Sequence, residues 1–534
     1  MKKNSKAIII ILAFFSLLYF IAFFFPNAKA SENVAMVAVF EPDEKVQFPY
    51  LMDMLKPANT IKQSLINFAF YDYYFYGYPF FAFSGLVLLP IKALGLLSNT
   101  PLVMLILRQM ISMLPQLIAI LLLVYMQTEF KSYKAIVVFL FLVSVPAVMQ
   151  NNFWWHPDGL AILLITFAIF FLERDQLRFS KNYFLTAMMC GFAAGTKGTG
   201  FFFFLAIIVY FLMGLFQKKI TLLKSIQFAF LFLFIMAFSY LLANPILIFA
   251  GVRERYFYVM QEEMRFLTSG YEIVVRTGLR GAWPVFREHF RHWIIVPAAL
   301  AACLWGIIYR KKPLLNTIIL SWFIPLSIQV FFITHFKFQY WLPVALPLFS
   351  CLAAVLPEKE TLKNLVNKGK IQLKIAHGFS ALILAIFLVQ FVEYVPYSIN
   401  RFQTQLHRAE DNPAIQFYFD AKQALEPLQR EKLYILHDVR MYMPTTSNWQ
   451  LESEFYLLNH EYIQSKNYDV LMILQQRIND YTNPNAQPID PQSFAEYKRF
   501  YHDADDGVIP NYQLVFRNAY GLIFVRSSLY DQYF

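Results

Sequence analysis

The stretch AIIIILAFFSLLYFIAFFF, Ala7–Phe25, contains nineteen residues and no charged side chain. An α-helix of that length reaches about 28 Å, close to the thickness of the hydrocarbon core of a bilayer. The stretch therefore predicts a membrane helix. KKNSK precedes it and NAKAS follows it, so a cleaved secretory signal is the alternative to a retained signal anchor. The length of the run favours the anchor, and in either case residue 31 onward starts outside the cytoplasm.

Apolar runs of similar length recur through most of the chain, which has 534 residues, 58% of them hydrophobic and 18% aromatic. This pattern indicates a polytopic α-helical membrane protein rather than a soluble one. The further runs lie at about 101–126, 134–150, 159–173, 183–196, 198–216, 225–250, 292–309, 314–333, 338–356 and 375–396.

The formal net charge of +11 is concentrated in short Lys/Arg-rich connections, so it indicates cytoplasmic loops rather than nucleic-acid binding. These basic connections are 127–134, 173–181, 217–224, 310–313 and 359–374. Placing all of them in the cytoplasm predicts about eleven spans, a cytoplasmic N-terminus and an external C-terminus. The apolar segment 78–97 does not fit this topology as a span. Its Pro79, Pro90 and Lys92 favour a re-entrant or surface-lying helix.

The composition changes after the last apolar run. Residues 397–534 are more polar and contain short apolar strands, KLYILHD and YDVLMIL, and the hairpin pattern YQLVFRNAYGLIFVRS. These patterns predict a small α/β domain outside the membrane, after a transmembrane domain over residues 1–396. Within the transmembrane domain, 26–100 forms the first external loop and 251–291 forms a large external loop.

The predicted topology gathers unusual polar clusters on the outer side of the membrane. The first external loop contains the adjacent acids Asp43 and Glu44, and the segment NNFWWHPDG contains His156 and Asp158. The remaining candidates are Lys197, Arg276, Arg280, His335, Lys337 and Tyr340. Each feature alone has a simpler explanation, such as helix capping, a snorkelling lysine or arginines that face lipid headgroups. Together, acids and cations on one face suit a reaction on an anionic, lipid-borne substrate.

The chemistry available outside the cytoplasm narrows the function. No nucleotide-binding GxGxxG or Walker A motif occurs, and a group donor on that side is commonly a lipid phosphate already anchored in the membrane. A carboxylate can take the proton from an acceptor hydroxyl, which contributes about 10²–10⁴-fold when well placed. Cations can hold the departing phosphate, and carboxylates also suit an oxocarbenium-like transition state.

The ordered set of motifs resembles the C-class glycosyltransferases. An external DE after the first span, YGYPFF, HPDGLAILLITFAIFFL, AAGTKGTG and QYWLPVALPLFSCLAA occur in matching order over roughly residues 1–356. The likeness is greatest to bacterial relatives of the protein O-mannosyltransferases and the aminoarabinose lipid A transferases. It implies a multi-pass enzyme of the bacterial inner membrane. Such an enzyme transfers a hexosyl or pentosyl group from a polyprenyl phosphate, with inversion, to a protein, lipid A or polysaccharide acceptor.

The resemblance also implies roles for the acids. Asp43 matches the general base of the family, with Glu44 as its neighbour. Asp158 matches a second acid that binds the acceptor or positions the base. Acid pairs of some members bind a divalent metal, but users of lipid monophosphates generally work without one, so no obligatory metal is expected.

The phosphate-binding cation stays open. Some relatives carry an HKExRF motif, and HFKFQY at residues 335–340 matches it only at His335 and, loosely, at Tyr340. Lys197, Lys337 or an arginine of 276–287 could supply the charge, and His156 is a further candidate for substrate binding.

Two other functions remain possible on the sequence alone. A transporter or flippase of a lipid-linked saccharide would place ionisable residues near the middle of the bilayer, and Arg108 is the main candidate. No internal repeat is visible, which disfavours an inverted-repeat transporter. The second is a structural membrane protein whose external domain binds a partner. That function would not explain the clustered acids and cations.

Overall fold

The structure is a computed structural model that describes residues 3–358, 375–454 and 458–534. It consists of a large helical domain followed by a small α/β domain. The polytopic fold class predicted from the sequence is therefore confirmed. The predicted basic connection 359–374 lies outside the described residues.

The first part of the helical domain alternates long apolar helices with short connecting helices. A π-helical turn, Arg108–Met113, joins α7 and α8 into one continuous element. The α-helices of this part are α1 (Lys3–Ala22), α2 (Phe24–Ala28), α3 (Val34–Phe40), α4 (Pro42–Met54), α5 (Ile61–Ala69), α6 (Tyr78–Ala93), α7 (Thr100–Leu107), α8 (Leu114–Thr128), α9 (Lys134–Ser144), α10 (Pro146–Asn151), α11 (Asp158–Asp175) and α12 (Lys181–Thr196).

The second part ends in a helix that runs out to the α/β domain. This second part also contains three short turns between its α-helices. They are the 3₁₀ turns Gly198–Phe203 and Pro245–Ile248 and the π-helical turn Gln329–Ile333. The α-helices are α13 (Phe204–Phe216), α14 (Leu222–Ala243), α15 (Ala250–Ser269), α16 (Gly278–Phe290), α17 (Ile295–Ile308), α18 (Pro313–Ile328), α19 (Phe338–Ser350), α20 (Leu352–Val355) and α21 (Ile375–His407). The predicted domain boundary at 396/397 stays a prediction, and α21 continues ten residues or more beyond it.

Seven helical segments of the described chain are long and apolar enough to cross a membrane. An eighth is obtained if α16 and α17, which are bent by 76° at their junction, form one broken span. The seven are Ser5–Ala28, Thr100–Thr128, Gly198–Phe216, Leu222–Ala243, Pro313–Ile333, Phe338–Val355 and Gly378–His407.

The predicted number of eleven spans exceeds this count because four of the apolar runs form short, interrupted or charged helices. Pro146 divides the run 134–150 into α9 and α10, since proline supplies no backbone N–H and disfavours a helical residue before it. Helix α12 has 16 residues, and α11 carries charged residues at both ends. The run 292–309 forms α17, which is bent against α16.

The segment 78–97 forms α6, whose 16 residues are fewer than the roughly 20 that a span requires. Phe80 and Phe81 are fully buried, and Phe80 stacks on Trp155 with ring centroids 5.0 Å apart. One face of α6 thus packs against protein and brings the aromatic segment before it close to the loop that precedes α11.

The C-terminal domain contains a five-stranded sheet with the order β2-β1-β3-β5-β4. Strands β1, β2 and β3 are parallel, and β5 pairs antiparallel with both β3 and β4. The predicted hairpin is thereby confirmed as β4–β5. The strands are β1 (Leu433–Asp438), β2 (Trp449–Glu454), β3 (Val470–Leu474), β4 (Tyr512–Arg517) and β5 (Gly521–Arg526). The α-helices are α22 (Pro413–Ala424), α23 (His460–Lys466), α24 (Gln475–Thr482), α25 (Pro491–Asp506) and α26 (Ser527–Tyr533).

Helices cover both faces of this sheet. Along β3, Leu471 and Ile473 belong to one apolar cluster, whereas Val470, Met472 and Leu474 belong to another. Successive side chains of a strand lie on opposite faces, so β3 is buried on both sides and is a continuous apolar run.

The C-terminal domain is attached to the helical domain by backbone pairing and by a buried ion pair. Ile273, after α15, forms an antiparallel bridge with Pro488, and the neighbouring Val274 N–H donates to the Gln487 carbonyl at 2.7 Å. Arg408, just beyond α21, forms a 3.0 Å ion pair with Glu41. The end of α15 and the start of α4 are thus held against the sheet domain.

We expect Gly77→Ala to destabilise the protein by roughly 1–3 kcal/mol. Gly77 N–H donates to the Thr196 carbonyl at 3.1 Å, and a Cβ at residue 77 would lie 1.5 Å from the Gly195 carbonyl oxygen. The measurement is the thermal unfolding midpoint in detergent. Gly198→Ala is the matched control, because no heavy atom lies within 4 Å of a Cβ built there. Equal midpoints for the two variants would contradict the close approach of these segments.

Candidate active site

A cavity of about 460 Å³ lies between the helical domain and the C-terminal domain. Its walls come from α4, the aromatic segment before α6, the loop before α11, α15, the start of α19 and the sheet domain. We call it the helix-side cavity. Its polar lining residues are Asp43, Lys45, Tyr73, Tyr76, His156, Glu263, Tyr271, Lys337, Gln339, Tyr340, Ser453 and Glu454.

Asp43 lies in the first turn of α4, directly after Pro42. A carboxylate in the first turn of a helix is stabilised by the unpaired backbone N–H groups and the helix dipole. Asp43 is exposed into the cavity and forms no hydrogen bond or ion pair with any residue that the structure describes. Its carboxylate is therefore available to a ligand.

Glu44 is fully buried on the other side of the same helix turn. Its carboxylate accepts two hydrogen bonds from Arg108, from Nε at 2.9 Å and from Nη2 at 2.5 Å. It also accepts one from the Trp155 N–H at 2.5 Å, while Arg108 Nη1 donates to the Asn27 carbonyl at 2.8 Å. Glu44, one of the three predicted catalytic acids, is thus occupied by protein partners and does not line the cavity.

Asp158 is also buried, at the start of α11. It pairs with His156 through His156 Nδ1, and it accepts from Lys197 Nζ at 2.5 Å. The remaining ring nitrogen of His156 lies 2.6 Å from the Tyr76 hydroxyl. Burial and the nearby Lys197 lower the pKa of His156, so a neutral ring can donate from Nδ1 to Asp158 and accept from Tyr76.

Two lysines flank one aromatic ring. Lys197 Nζ lies 4.3 Å from the centroid of the Tyr340 ring, and Lys337 Nζ lies 5.5 Å from it. Lys337 precedes α19 and lines the helix-side cavity together with Tyr340, whereas Lys197 is buried behind the ring. Lys337 and the N-terminus of α19 place positive charge at one wall of the cavity.

Three of the predicted binding residues lie apart from this cavity. Arg276 and Arg280 are exposed in the segment before α16 and in its first turn, and they do not line the cavity. His335 is half-buried and its Nδ1 lies 3.1 Å from the Leu267 carbonyl. Of the predicted set, Asp43, His156, Lys337 and Tyr340 line the cavity, and Asp158 and Lys197 stand directly behind it.

The sequence reasoning missed several of the lining residues. Glu263 lies on the amphipathic helix α15, and burial raises its pKa in spite of Lys337 and Lys197. Tyr271 follows the same helix, and Glu454 ends strand β2 of the C-terminal domain. The aromatic density of the segment before α6 could have indicated Tyr76, but the approach of Glu454 depends on domain packing that no local pattern encodes.

The cavity does not bring metal ligands together. Within the part of the chain that the structure describes, no group of three or more His, Cys, Asp or Glu side chains is arranged to hold a metal ion.

Two solved structures of ArnT are similar to the chain. The crystal structure of ArnT from Cupriavidus metallidurans bound to undecaprenyl phosphate matches with 11% identity and a TM-score of 0.49 over 97% of both chains. ArnT in the apo state matches with 13% identity and a TM-score of 0.48 over 96% of this chain and 98% of that one.

An oligosaccharyltransferase is also similar. The archaeal AglB from Archaeoglobus fulgidus, in complex with an inhibitory peptide and a dolichol-phosphate, matches with 11% identity and a TM-score of 0.45. The match covers 84% of this chain and 72% of that one. No protein-family model and no curated protein matches the chain. At these identities and TM-scores the similarity does not extend to individual residues or to the reaction.

We expect Glu44→Gln to destabilise the protein by about 3–5 kcal/mol, because it leaves the Arg108 guanidinium buried without its anionic partner. Thermal unfolding in detergent provides the measurement. Asp72→Asn is the control, since the Asp72–Arg255 pair is 2.7 Å long but its side chains are 54% and 58% exposed, and exposed pairs contribute little. A Glu44→Gln midpoint no lower than that of the control would refute the structural role of the buried pair.

Proposed function

We propose that the protein is a glycosyltransferase that moves a sugar from a polyprenyl phosphate donor to an acceptor hydroxyl, with inversion. The observation that carries the proposal is the state of Asp43. Of the three predicted acids, it alone among the described residues has no protein partner on its carboxylate, and it lines the cavity that also contains Lys337. A free carboxylate and a cation on the walls of one cavity suit base-assisted displacement of a phosphate.

In the proposed reaction, Asp43 takes the proton from the acceptor hydroxyl as the oxygen attacks the anomeric carbon of the donor sugar. The new oxygen–carbon bond forms on the face opposite the phosphate, and the bond between the anomeric carbon and the phosphate oxygen breaks. The polyprenyl phosphate leaves with the electron pair, so the configuration at the anomeric carbon inverts. Carboxylates near an oxocarbenium-like transition state also stabilise its positive charge.

The donor phosphate would bind at the start of α19. Lys337 supplies a positive charge there, whereas the charge of Lys197, near the same Tyr340 ring, is paired with Asp158. Asp158 would act as a positioning residue, because it holds Lys197 and His156 in place. The undecaprenyl phosphate bound by the Cupriavidus ArnT is a polyprenyl phosphate, the kind of lipid that leaves in the proposed reaction, but support for this chain comes from its own cavity.

The basic connections support an orientation with the N-terminus in the cytoplasm and the C-terminal domain outside. In that orientation the cavity opens at the periplasmic face of a bacterial inner membrane. A donor already anchored in the bilayer reaches such a site without crossing water.

The transporter or flippase alternative depended on Arg108 as an ionisable residue within the membrane. Arg108 is fully buried and is bound by Glu44 and by the Asn27 carbonyl. Both its charge and its donors are thus used within the fold, and no specific observation favours transport.

We expect Asp43→Asn to lower transfer of label from a radiolabelled polyprenyl phosphate sugar by about 10²–10⁴-fold, because an amide cannot take the acceptor proton. Transfer is measured with purified protein in liposomes, and the unfolding midpoint should stay at the wild-type value. Asp53→Asn is the control, because Asp53 lies on the same helix with its side chain 59% exposed. Transfer by Asp43→Asn within a few-fold of the wild-type rate would remove Asp43 as the base.

We expect Lys337→Gln to raise the KM for the donor by roughly 10- to 100-fold, because a charge-assisted contact to the phosphate is lost. Lys337→Arg keeps the charge and should restore part of the affinity. Lys56→Gln, at a side chain that is 67% exposed, should leave the donor KM unchanged. An unaltered donor KM in Lys337→Gln would assign phosphate binding to another cation.

A further inference from the structure

A second cavity, of about 370 Å³, also reaches Asp43, and we call it the domain-side cavity. It shares Pro42, Asp43 and Tyr271 with the helix-side cavity. The C-terminal domain contributes Arg440, Arg477 and Asp480 to its lining. A donor in one cavity and an acceptor in the other would therefore meet at Asp43.

The walls of the domain-side cavity are held by contacts between the domains and within the sheet domain. Glu272 belongs to the segment that pairs with the sheet domain, where its carbonyl accepts from the Ile489 N–H at 2.9 Å. Arg477 forms a buried 3.0 Å ion pair with Asp438 at the end of β1. Because these contacts hold the walls in place without a ligand, the entropic cost of binding is lowered.

The lining carries a surplus of negative charge, because its carboxylates outnumber its guanidinium groups by two. A phosphate or sulfate group entering the cavity would lose water and meet this surplus, whereas a neutral hydroxyl would donate hydrogen bonds to the carboxylate oxygens. The charged lining residues are Glu41, Asp43, Glu272, Asp480, Arg440 and Arg477.

Two of these carboxylates have hydrogen-bonding capacity that the fold does not use. Among the described residues, Asp480 forms no hydrogen bond or ion pair. The Oε2 atom of Glu272 is buried and has no hydrogen-bond partner in the same part of the chain. A buried carboxylate oxygen without a partner is costly, and donation from ligand hydroxyls would satisfy it.

Aromatic rings complete the lining. Trp154 stacks on His156 with centroids 4.1 Å apart, and Tyr271 stacks on Phe266 at 4.6 Å. Their positions are fixed, and Tyr271 is 42% exposed. The negative face of an aromatic ring attracts the partly positive C–H groups of a sugar ring, and a flat ring also excludes water from that face.

We propose that the domain-side cavity is the acceptor subsite and that it selects a neutral saccharide hydroxyl over a phosphate-bearing acceptor. The proposal rests on the glycosyl transfer proposed above and narrows its acceptor to a glycan. Carboxylates that accept from hydroxyls, together with fixed aromatic faces, suit a sugar. A peptide segment would instead need partners for its backbone, and the 272–274 backbone is already paired with the sheet domain.

Discrimination against anions should strengthen as the pH rises. Burial, together with the negative charge of Glu454, raises the pKa of Glu272 to about 7, although the neighbouring Arg477 acts to lower this pKa. Below that pH Glu272 becomes neutral and the negative surplus shrinks. A sulfate monoester is the suitable probe, because its charge does not change between pH 6 and pH 8.

The test compares acceptors with the full-length protein in liposomes and one labelled polyprenyl phosphate sugar. The acceptors are neutral methyl disaccharides, the same disaccharides as phosphate and sulfate monoesters, and a serine- and threonine-containing peptide. We expect transfer to the neutral disaccharides, little transfer to the monoesters, and a sulfate penalty that is larger at pH 8 than at pH 6. Binding of the same compounds is measured separately by thermophoresis.

Asp480→Arg provides the variant, because it reverses the charge of a wall residue from the C-terminal domain. We expect it to raise the KM for the neutral disaccharide by roughly 10- to 100-fold, to lower the KM for the phosphate monoester, and to leave the donor KM unchanged. Asp506→Arg, an exposed acid at the end of α25, is the matched control and should behave as the wild-type protein does.

The outcomes distinguish a failure of the acceptor-subsite proposal from a failure of the proposed glycosyl transfer. Transfer that prefers the phosphate monoester or the peptide overturns the neutral-glycan assignment and leaves the glycosyltransferase standing. Transfer to the disaccharide with an acceptor KM that Asp480→Arg does not change overturns the placement of the subsite. No transfer to any acceptor, together with no binding of the disaccharide by thermophoresis, overturns both.

Discussion

The buried ion pair between Glu44 and Arg108 holds together the part of the molecule on which the site depends. Taking two charges out of water is costly, and the geometry offsets this cost only because the remaining donors and acceptors also find partners. Glu44 accepts from Trp155, and Arg108 donates to Asn27. Four separate stretches of chain therefore meet at this ion pair. The residue before it, Asp43, lies about 100° away around the helix and faces the cavity instead.

Local patterns in the sequence were sufficient for the fold class and for much of the C-terminal sheet. These patterns are local, so they can be recognised without knowledge of the tertiary structure. They are the apolar runs, the basic connections and the strand–turn–strand pattern at residues 512–526. The number of about eleven spans stays a prediction, beside seven long apolar segments in the described chain. Pro146 divides one apolar run into two short helices, and α11 carries charged residues at both ends, although both runs are apolar in the sequence.

Four of the residues predicted from the sequence line the helix-side cavity, but the sequence could not show which of the predicted acids and cations are paired within the protein. Asp43 and Glu44 are adjacent acids, and only the packing distinguishes a free carboxylate in a cavity from a buried one on Arg108. Lys197 forms an ion pair with Asp158. The order of the motifs along the chain could not reveal this pair. Glu263 and Glu454 reach the site from an amphipathic helix and from the sheet domain, and no motif marks either of them.

The attachment of the C-terminal domain explains why the two cavities differ in character. The helix-side cavity draws Lys337 and Tyr340 from the membrane helices, beside the bilayer in which a lipid-linked donor would lie. The domain-side cavity takes Arg440 and Asp480 from a domain surrounded by water, and its acids are suited to hydroxyl groups rather than to phosphate. Two substrates from different phases would thus approach Asp43 from different sides. As the proposed base, Asp43 would need no movement to serve both substrates, because the ion pair between Glu44 and Arg108 fixes the helix that carries it.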